Sequence, residues 1–179
     1  PPLPDIFPPS PLPLPENGDD APARVLVHDP TAGLCYTQTF NTDNPTWYQV
    51  NGGLTTAQYQ TLNRVVICPN GAVYVGKIDD TAADAFLARA PYVGGVFSII
   101  EDQASIDIKT GVSPSHIVNF NCNPMVGESV VYVLGSSAEV CKLYIGAGST
   151  FAAGATFSYL GLEGDITFGA NKWLLTGKL

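Results

Sequence analysis

The stretch RVVICPNGAVYVGK, residues 64–77, consists of two short apolar runs on either side of a Pro-Asn-Gly turn. The stretch DITFGANKWLLTGK, residues 165–178, repeats this arrangement and aligns Asn171 with Asn70. Valine- and isoleucine-rich runs that flank such a turn are typical of a β-hairpin. The repetition predicts that the chain uses one strand–turn–strand unit more than once.

A third copy, HIVNFNCNPMVGESVVYVLGS at 116–136, lies between these two, so the units recur with a period of roughly fifty residues. Other strand-like segments fill the intervals. They are GLCYTQT (33–39), TWYQVNGG (46–53), GVFSIIE (95–101), SIDIKTG (105–111), VCKLYIG (140–146) and TFSYLGL (156–162). Roughly four strands in each period is the pattern of a propeller blade. The sequence therefore predicts an all-β, propeller-like array of about three four-stranded antiparallel blades.

Period-two alternation predicts which residues lie on the hairpin strands, with the apolar side chains among them largely buried. These residues are Val65, Ile67, Val73, Val75, Val118, Phe120, Val131, Val133, Ile166, Phe168, Leu174 and Thr176. The helix-like stretch DDTAADAFLARA, 79–90, is interpreted as a loop with at most one or two helical turns.

Residues 1–24 form a separate region, because eight prolines fall within the first fifteen positions. Proline lacks an N–H and fixes φ, so this region is expected to be an extended polyproline II arm or linker. It serves either as a solvated spacer or as an arm that docks on another subunit. The apolar anchors for docking would be Leu3, Ile6, Phe7, Leu12 and Leu14. The repeat domain then spans 25–179, as part of a larger assembly or chain.

The net charge of −8, with only 8 lysines and arginines against 16 acidic residues, argues against a nucleic-acid partner. No apolar run is long enough for a transmembrane helix, so membrane insertion is not expected. The chain does not begin with Met and is expected to be processed or part of something longer. Its low charge and its many Gly, Ser, Thr and Asn residues favour an extracellular or virion surface.

The four cysteines, Cys35, Cys68, Cys122 and Cys141, do not have zinc-site spacing. They allow three disulfide pairings, and buried free thiols on strands are the expected state.

The order TWYQVNGGL (46–54), VVICPNGAVYVGK and GGVFSIIEDQAS (94–105) resembles the BNR or Asp-box repeats. Such repeats occur in sialidases, sortilin-like receptors, photosystem assembly factors and many phage and bacterial surface proteins. The resemblance covers most of 33–179 and implies a β-propeller fold. The Asp box itself differs: Asp43 stands one residue out of place before Trp47, and the segment SIIEDQASI directly after Phe97 contains no Trp.

A sialidase-like site needs three arginines around a substrate carboxylate and a Tyr–Glu nucleophile pair. Arg24, Arg64 and Arg89 are instead interpreted as isolated surface residues. Glycosidases in general need two carboxylates that flank the scissile bond. Candidates are Asp79, Asp80, Asp84, Glu101, Asp102 and Asp107, and their polar contexts are typical of solvated acids.

No catalytic residue, metal or cofactor is predicted, and His28 and His116 are too isolated in the sequence to suggest a metal site. The acidic pairs Asp19–Asp20 and Asp79–Asp80 lack the spacing of a calcium loop. The chain is therefore predicted not to be an enzyme.

Four aromatic residues are candidates for sugar stacking or partner binding, although packing between blades is the alternative for each. They are Trp47, Tyr48, Tyr92 and Tyr144. The favoured function is a structural or adhesive one, in a virion tail, fibre or surface appendage that binds a neighbouring protein or a host glycan. The alternatives are a fragment of a secreted, sialidase-like glycan-acting enzyme and a peptide-binding receptor scaffold.

Overall fold

The computed structural model describes residues 25–40, 42–78, 84–136, 140–158, 163–169 and 172–178. Within these ranges the chain forms thirteen strands and two short helices, and the strands fall into four antiparallel sheets in chain order. This confirms the all-β, propeller-like fold. The predicted arm, residues 1–24, lies outside the described residues. The chain divides into two compact units, one up to Leu62 with Ala90–Ser98, the other Asn63–Arg89 with positions from Ile99 onward.

The first unit contains a three-stranded sheet in the order β1-β2-β3. Its strands are β1 (Val25–Asp29), β2 (Gly33–Thr37) and β3 (Tyr48–Gln49). Every residue of β2 is buried, as expected for the central strand. After β3 ends, the Asn51 side chain continues the hydrogen bonding to the backbone at the start of β2. Its Oδ1 accepts from the Leu34 amide and its Nδ2 donates to the Ala32 carbonyl, both at 2.7 Å.

Helix α1 (Thr56–Gln60) was not predicted from the sequence. Its local signal is a capping box, in which the Thr55 hydroxyl accepts from the Gln58 amide and the Gln58 side chain accepts from the Thr55 amide.

The second unit begins with a four-stranded sheet in the order β4-β5-β6-β7. Its strands are β4 (Arg64–Ile67), β5 (Val73–Lys77), β6 (Phe86–Ala90) and β7 (Ser98–Glu101). The Pro-Asn-Gly hairpin forms as predicted, with Val65 paired to Val75. Gly71 adopts a φ of +89° and its amide donates to the Cys68 carbonyl at 2.8 Å, a conformation that a side chain would disfavour.

A second four-stranded sheet follows in the order β8-β9-β10-β11, and a two-stranded hairpin comes after it. The strands are β8 (Ser115–Cys122), β9 (Val130–Ser136), β10 (Val140–Ala147), β11 (Thr150–Ser158), β12 (Glu163–Gly169) and β13 (Lys172–Lys178). Both hairpins predicted from the repeat are present. β11 covers the first part of the predicted TFSYLGL strand, and positions 159–162 lie outside the described residues.

The prediction of a strand over 105–111 is wrong, because the chain forms helix α2 (Gln103–Thr110) there. Asp102 caps its start by accepting from the Ser105 amide at 2.8 Å, and Gly111 ends it with a φ of +78°. The Ile106 side chain is buried and that of Ile108 is 81% exposed. A spacing of two would put these side chains on one face of a strand, whereas in a helix it puts them on opposite sides, as their different exposures show.

The interpretation of 79–90 as a loop is also wrong over its second half, where β6 is a strand. Phe86, Leu87 and Ala88 are successive buried residues, so both faces of this inner strand are covered. A continuous apolar run does not distinguish a buried strand from a buried helix.

All twelve residues predicted to lie on hairpin strands do so. Val73, Val75, Phe120, Val131 and Val133 are buried, and Val65 and Val118 are half-buried. Ile67 contradicts the burial prediction because it is 51% exposed at the end of β4. For the four residues on β12 and β13 the structure describes the strands but not side-chain burial.

Cys68 and Cys122 form a disulfide with a Cα–Cα distance of 5.6 Å. The expectation of free thiols is therefore wrong for this pair, whereas Cys35 and Cys141 are buried free thiols. Burial raises the pKa of both thiols, because a thiolate is poorly solvated in an apolar environment. The disulfide links two segments that are 54 residues apart in the chain.

The core of the second unit collects side chains from both four-stranded sheets and from α2. Its large buried members are Tyr74, Leu87, Ile106, Ile117, Phe120, Tyr132 and Leu134. The core also includes Tyr144, and the hydroxyl groups of its three tyrosines need hydrogen-bond partners.

Candidate functional site

The four predicted aromatic residues do not belong to one unit. Trp47, Tyr48 and Tyr92 are half-buried residues of the first unit. Tyr144 belongs to the second unit and is buried, with its ring stacked on that of Tyr132 at a centroid distance of 5.1 Å. Tyr144 thus contributes to packing between strands β9 and β10. The docking residues Leu3, Ile6, Phe7, Leu12 and Leu14 lie outside the described residues.

One polar cluster of the second unit is built around Glu128, in the loop between β8 and β9. Its carboxylate accepts two hydrogen bonds from Arg89, at 2.5 and 2.8 Å, and one from the Tyr74 hydroxyl at 2.6 Å. The Asn70 amide donates at 2.9 Å and the Gly148 backbone amide at 3.1 Å. We call these five residues the Glu128 cluster.

These contacts determine the protonation states of Glu128 and Tyr74. The Arg89 guanidinium, which donates two hydrogen bonds, lowers the pKa of Glu128 from its usual 4.5 to about 2. Burial, followed by the hydrogen bond to Glu128, raises the pKa of Tyr74 well above its ordinary value. At neutral pH Glu128 is therefore ionised and Tyr74 is protonated.

A second polar cluster surrounds Glu101, the last residue of β7, whose side chain is 1% exposed. Its carboxylate accepts from the Ser105 hydroxyl at 2.7 Å, and also from the Tyr132 hydroxyl and the Lys109 ammonium. Lys109 Nζ also lies 4.9 Å from the centre of the Tyr144 ring, within cation–π range. The interpretation of Glu101 as a solvated acid is wrong.

The phenol of Tyr132 keeps its proton at neutral pH. Burial, reinforced by the hydrogen bond to Glu101, raises the pKa of Tyr132 far above its ordinary value. Burial also raises the pKa of Tyr144. The Tyr132 hydroxyl therefore acts as a hydrogen-bond donor to the Glu101 carboxylate.

The other candidate acids in the described residues also have defined partners. Asp84 pairs with Lys77, and Asp102 caps α2. Asp107 accepts from the Ser115 amide at 2.8 Å and from the Gln103 side chain at 2.7 Å. A hydrogen bond from Ser113 is the main reason that the pKa of Asp107 is lowered. Asp79 and Asp80 lie outside the described residues.

The two described arginines also contact the protein. Arg64 Nε donates to the Phe120 carbonyl at 3.4 Å, and Arg89 binds Glu128. The interpretation of Arg89 as an isolated surface residue is therefore wrong, because its side chain is 24% exposed and ion-paired. Arg24 lies outside the described residues. His28 Nε2 is 2.7 Å from the Tyr59 carbonyl, and His116 is half-buried on β8.

Among the residues that the structure describes, no group of three or more His, Cys, Asp or Glu side chains could hold a metal ion. No helix within the described ranges has the length and apolar character to cross a membrane.

Apart from Glu101 and Arg89, the members of the two clusters were not singled out from the sequence. Glu128 is the one acidic residue between Cys122 and Ser136, in a hairpin of otherwise apolar and small polar residues. A lone charge in such a hairpin is a weak signal of a fixed partner. Its side-chain partners lie 39 to 58 residues earlier in the chain and Gly148 lies 20 residues later, so no local spacing could reveal them.

No protein-family model matches the chain, and no curated protein matches it in sequence. Among solved structures, the fold is similar to that of the GH74 xyloglucanase from Xanthomonas campestris, with a TM-score of 0.51 and 12% identity. The match covers 73% of this chain but only 18% of the xyloglucanase. The xyloglucanase is a β-propeller enzyme, and at this identity the likeness shows the fold alone. Membership of the BNR or Asp-box repeats stays a prediction.

Proposed function

We propose that this protein is a non-enzymatic structural or adhesive module of an extracellular or virion assembly, such as a tail, fibre or surface appendage. It binds a neighbouring protein or a host glycan. The observation that carries this proposal is the state of Glu101 and Glu128. Each carboxylate is surrounded by donors from its own unit, which leaves little capacity for substrate.

Acid–base chemistry also fits poorly with the electrostatics of the second unit. A general acid must hold a proton near neutral pH, but the pKa of Glu128 is lowered to about 2. The tyrosines that touch the two carboxylates have raised pKa values. Both clusters therefore support rigidity rather than turnover.

Glycan binding would rest on the half-buried aromatic residues of the first unit, Trp47, Tyr48 and Tyr92. Aromatic rings that keep one face accessible combine a large apolar area with a polar tip, which suits both sugars and protein partners. The test is a glycan array probed with the full chain and with the variant Trp47→Ala. Tyr59→Ala, at a half-buried tyrosine of the same unit, is the control.

Binding that is lost in Trp47→Ala and kept in Tyr59→Ala supports the glycan branch of the proposal. Glycan binding that is equal in all three proteins contradicts that role of Trp47. If no glycan binds, the proposal rests on its protein-assembly branch, which the mass measurement below decides.

The arm provides the test of assembly. We expect residues 1–24 to reach another subunit, because proline removes backbone donors and a polyproline II segment loses little entropy on docking. The measurement compares the mass in solution of 1–179 with that of 25–179. An oligomer that depends on the arm supports the proposal. A soluble monomer in both cases, with a protease-sensitive arm, contradicts it.

The second candidate is a fragment of a glycan-acting enzyme, and the fold likeness to the xyloglucanase favours it. Release of reducing ends from xyloglucan or cleavage of sialosides, abolished by substitution of a single aspartate or glutamate, would establish this alternative. The same result would overturn the non-enzymatic proposal.

A further inference from the structure

Two links join the four-stranded sheets of the second unit. Both lie at the turn end of the first hairpin of each sheet. The covalent one is the disulfide between Cys68, directly after β4, and Cys122, the last residue of β8. These are corresponding positions at the ends of the first strands of the two sheets. The disulfide therefore ties one sheet to the next rather than closing a single hairpin.

The second link is made by Glu128, which lies in the loop that follows Cys122. The Asn123 amide donates to the Ser129 carbonyl at 2.7 Å, which closes this loop at its base. The Asn70 backbone amide donates to the Gly127 carbonyl at 3.3 Å and connects the loop to the Pro-Asn-Gly turn. The Glu128 carboxylate then binds side chains of the β4-β5 turn, β5 and β6.

We propose that the disulfide and the Glu128 cluster act together as an oxidation-dependent clamp, in which each of the two links stabilises the other. The disulfide keeps the start of the loop beside the first sheet, where Glu128 can reach its donors. The cluster keeps the loop closed, so that a reductant rarely reaches the sulfurs. Both cysteines are nearly inaccessible, with exposures of 3% for Cys68 and 5% for Cys122.

The clamp opens by thiol–disulfide exchange with a dithiol. A thiolate of the dithiol attacks one sulfur of the Cys68–Cys122 bond and forms a mixed disulfide, and the other cysteine leaves as a thiolate and takes up a proton. The second thiol of the dithiol then displaces the remaining cysteine. Two electrons and two protons pass to the protein, which gains two thiols, and the dithiol becomes a cyclic disulfide. Because attack needs access, the rate reports how often the loop opens.

The first experiment measures the rate at which dithiothreitol reduces the disulfide in the folded full chain, by alkylation and mass spectrometry of the Cys68 and Cys122 peptides. Glu128→Gln should be reduced about tenfold faster than wild type, because it loses charge-assisted hydrogen bonds that hold the loop. Asp84→Asn is the control. Its ion pair with Lys77 lies in the same unit, but the Asp84 side chain is 58% exposed, so the rate should not change.

Tyr74→Phe serves as a milder second variant, since it removes one donor and keeps the ring in the core. If Glu128→Gln does not fold, the reduction rate of Tyr74→Phe tests the clamp instead. The converse measurement follows the Glu128 carboxyl by NMR, where reduction should raise its pKa from about 2 towards the ordinary value.

Reduction of the folded variants at the wild-type rate would overturn the clamp. So would recovery of all four cysteines as free thiols from protein purified without reductant. Faster reduction in the cluster variants, with Asp84→Asn unchanged, supports it.

Discussion

The Tyr132 hydroxyl donates a hydrogen bond to the carboxylate of Glu101, and both side chains are shielded from solvent, at 0% and 1% exposure. Glu101 ends strand β7 of one four-stranded sheet, and Tyr132 lies on β9 of the next. A buried carboxylate is tolerated only when hydrogen bonds and a counter-charge replace water. Here Ser105 and Lys109 of helix α2 supply the remaining partners, so this contact joins two sheets and a helix.

Tyr132→Phe should lower the free energy of unfolding by about 1.5–3 kcal/mol, because a buried hydrogen bond to a charged group is lost while the ring remains. Urea denaturation followed by circular dichroism measures the change. Tyr59→Phe, at a half-buried tyrosine of the first unit, should change stability by less than about 0.5 kcal/mol. Equal losses in the two variants would contradict the role given to the Tyr132 hydroxyl.

The Glu128 cluster should make stability depend on pH in the acid range. The pKa of Glu128 in the folded protein is lowered from 4.5 to about 2, so its stabilising contribution is present above pH 4.5 and disappears as the pH falls towards 2. Wild type should therefore lose more unfolding free energy than Glu128→Gln between pH 6 and pH 2. Denaturation series at several pH values measure this difference, and parallel pH profiles would exclude the cluster as its source.

Replacing both cysteines of the disulfide, as Cys68→Ser with Cys122→Ser, should cost about 4 kcal/mol. The bond closes a loop across 54 residues, and its removal releases that constraint on the unfolded chain. Chemical denaturation without reductant gives the value. The control is Cys141→Ala at a buried free thiol, which should cost clearly less because it leaves the chain constraint intact. A similar loss in both proteins would mean that packing, not cross-linking, is what the disulfide residues provide.

Two adjacent glycines of the first unit should respond very differently to alanine. Gly53 has a φ of +90°, and a Cβ there would collide with the Phe97 carbonyl oxygen. Gly53→Ala should therefore destabilise the protein by about 1–3 kcal/mol through strain and overpacking. At Gly52 the nearest atom to a Cβ is 3.8 Å away, an ordinary contact, so Gly52→Ala should be close to neutral. Thermal melts of the two variants compare them directly, and equal melting temperatures would refute this distinction.

The sequence by itself determined the repeating hairpins, and with them the all-β class. Alternating Val and Ile residues around Pro69-Asn70-Gly71, and the same pattern near Val118 and Ile166, depend on local backbone preferences and on period-two burial. Such signals lie within about ten residues of chain and can be read without the fold. The sheet order followed because consecutive antiparallel strands usually pair with their neighbours.

Tertiary structure decided the state of the short segments and of the polar clusters. The stretch 105–111 alternates like a strand but forms α2, because Asp102 and Gly111 cap it and Ile106 finds a place in the core. Phe86–Ala90 became a strand because it lies between β5 and β7, which cover both of its edges.

The sequence also could not show the partners of Glu101 and Glu128, because hydrogen bonds and ion pairs join residues that are close in space but far apart in the chain. Arg89 lies 39 positions before Glu128, and Tyr132 lies 31 positions after Glu101. The same holds for the pairing of Cys68 with Cys122 across 54 positions, which the sequence left among several alternatives. Packing of one sheet against the next brings these groups close together in space.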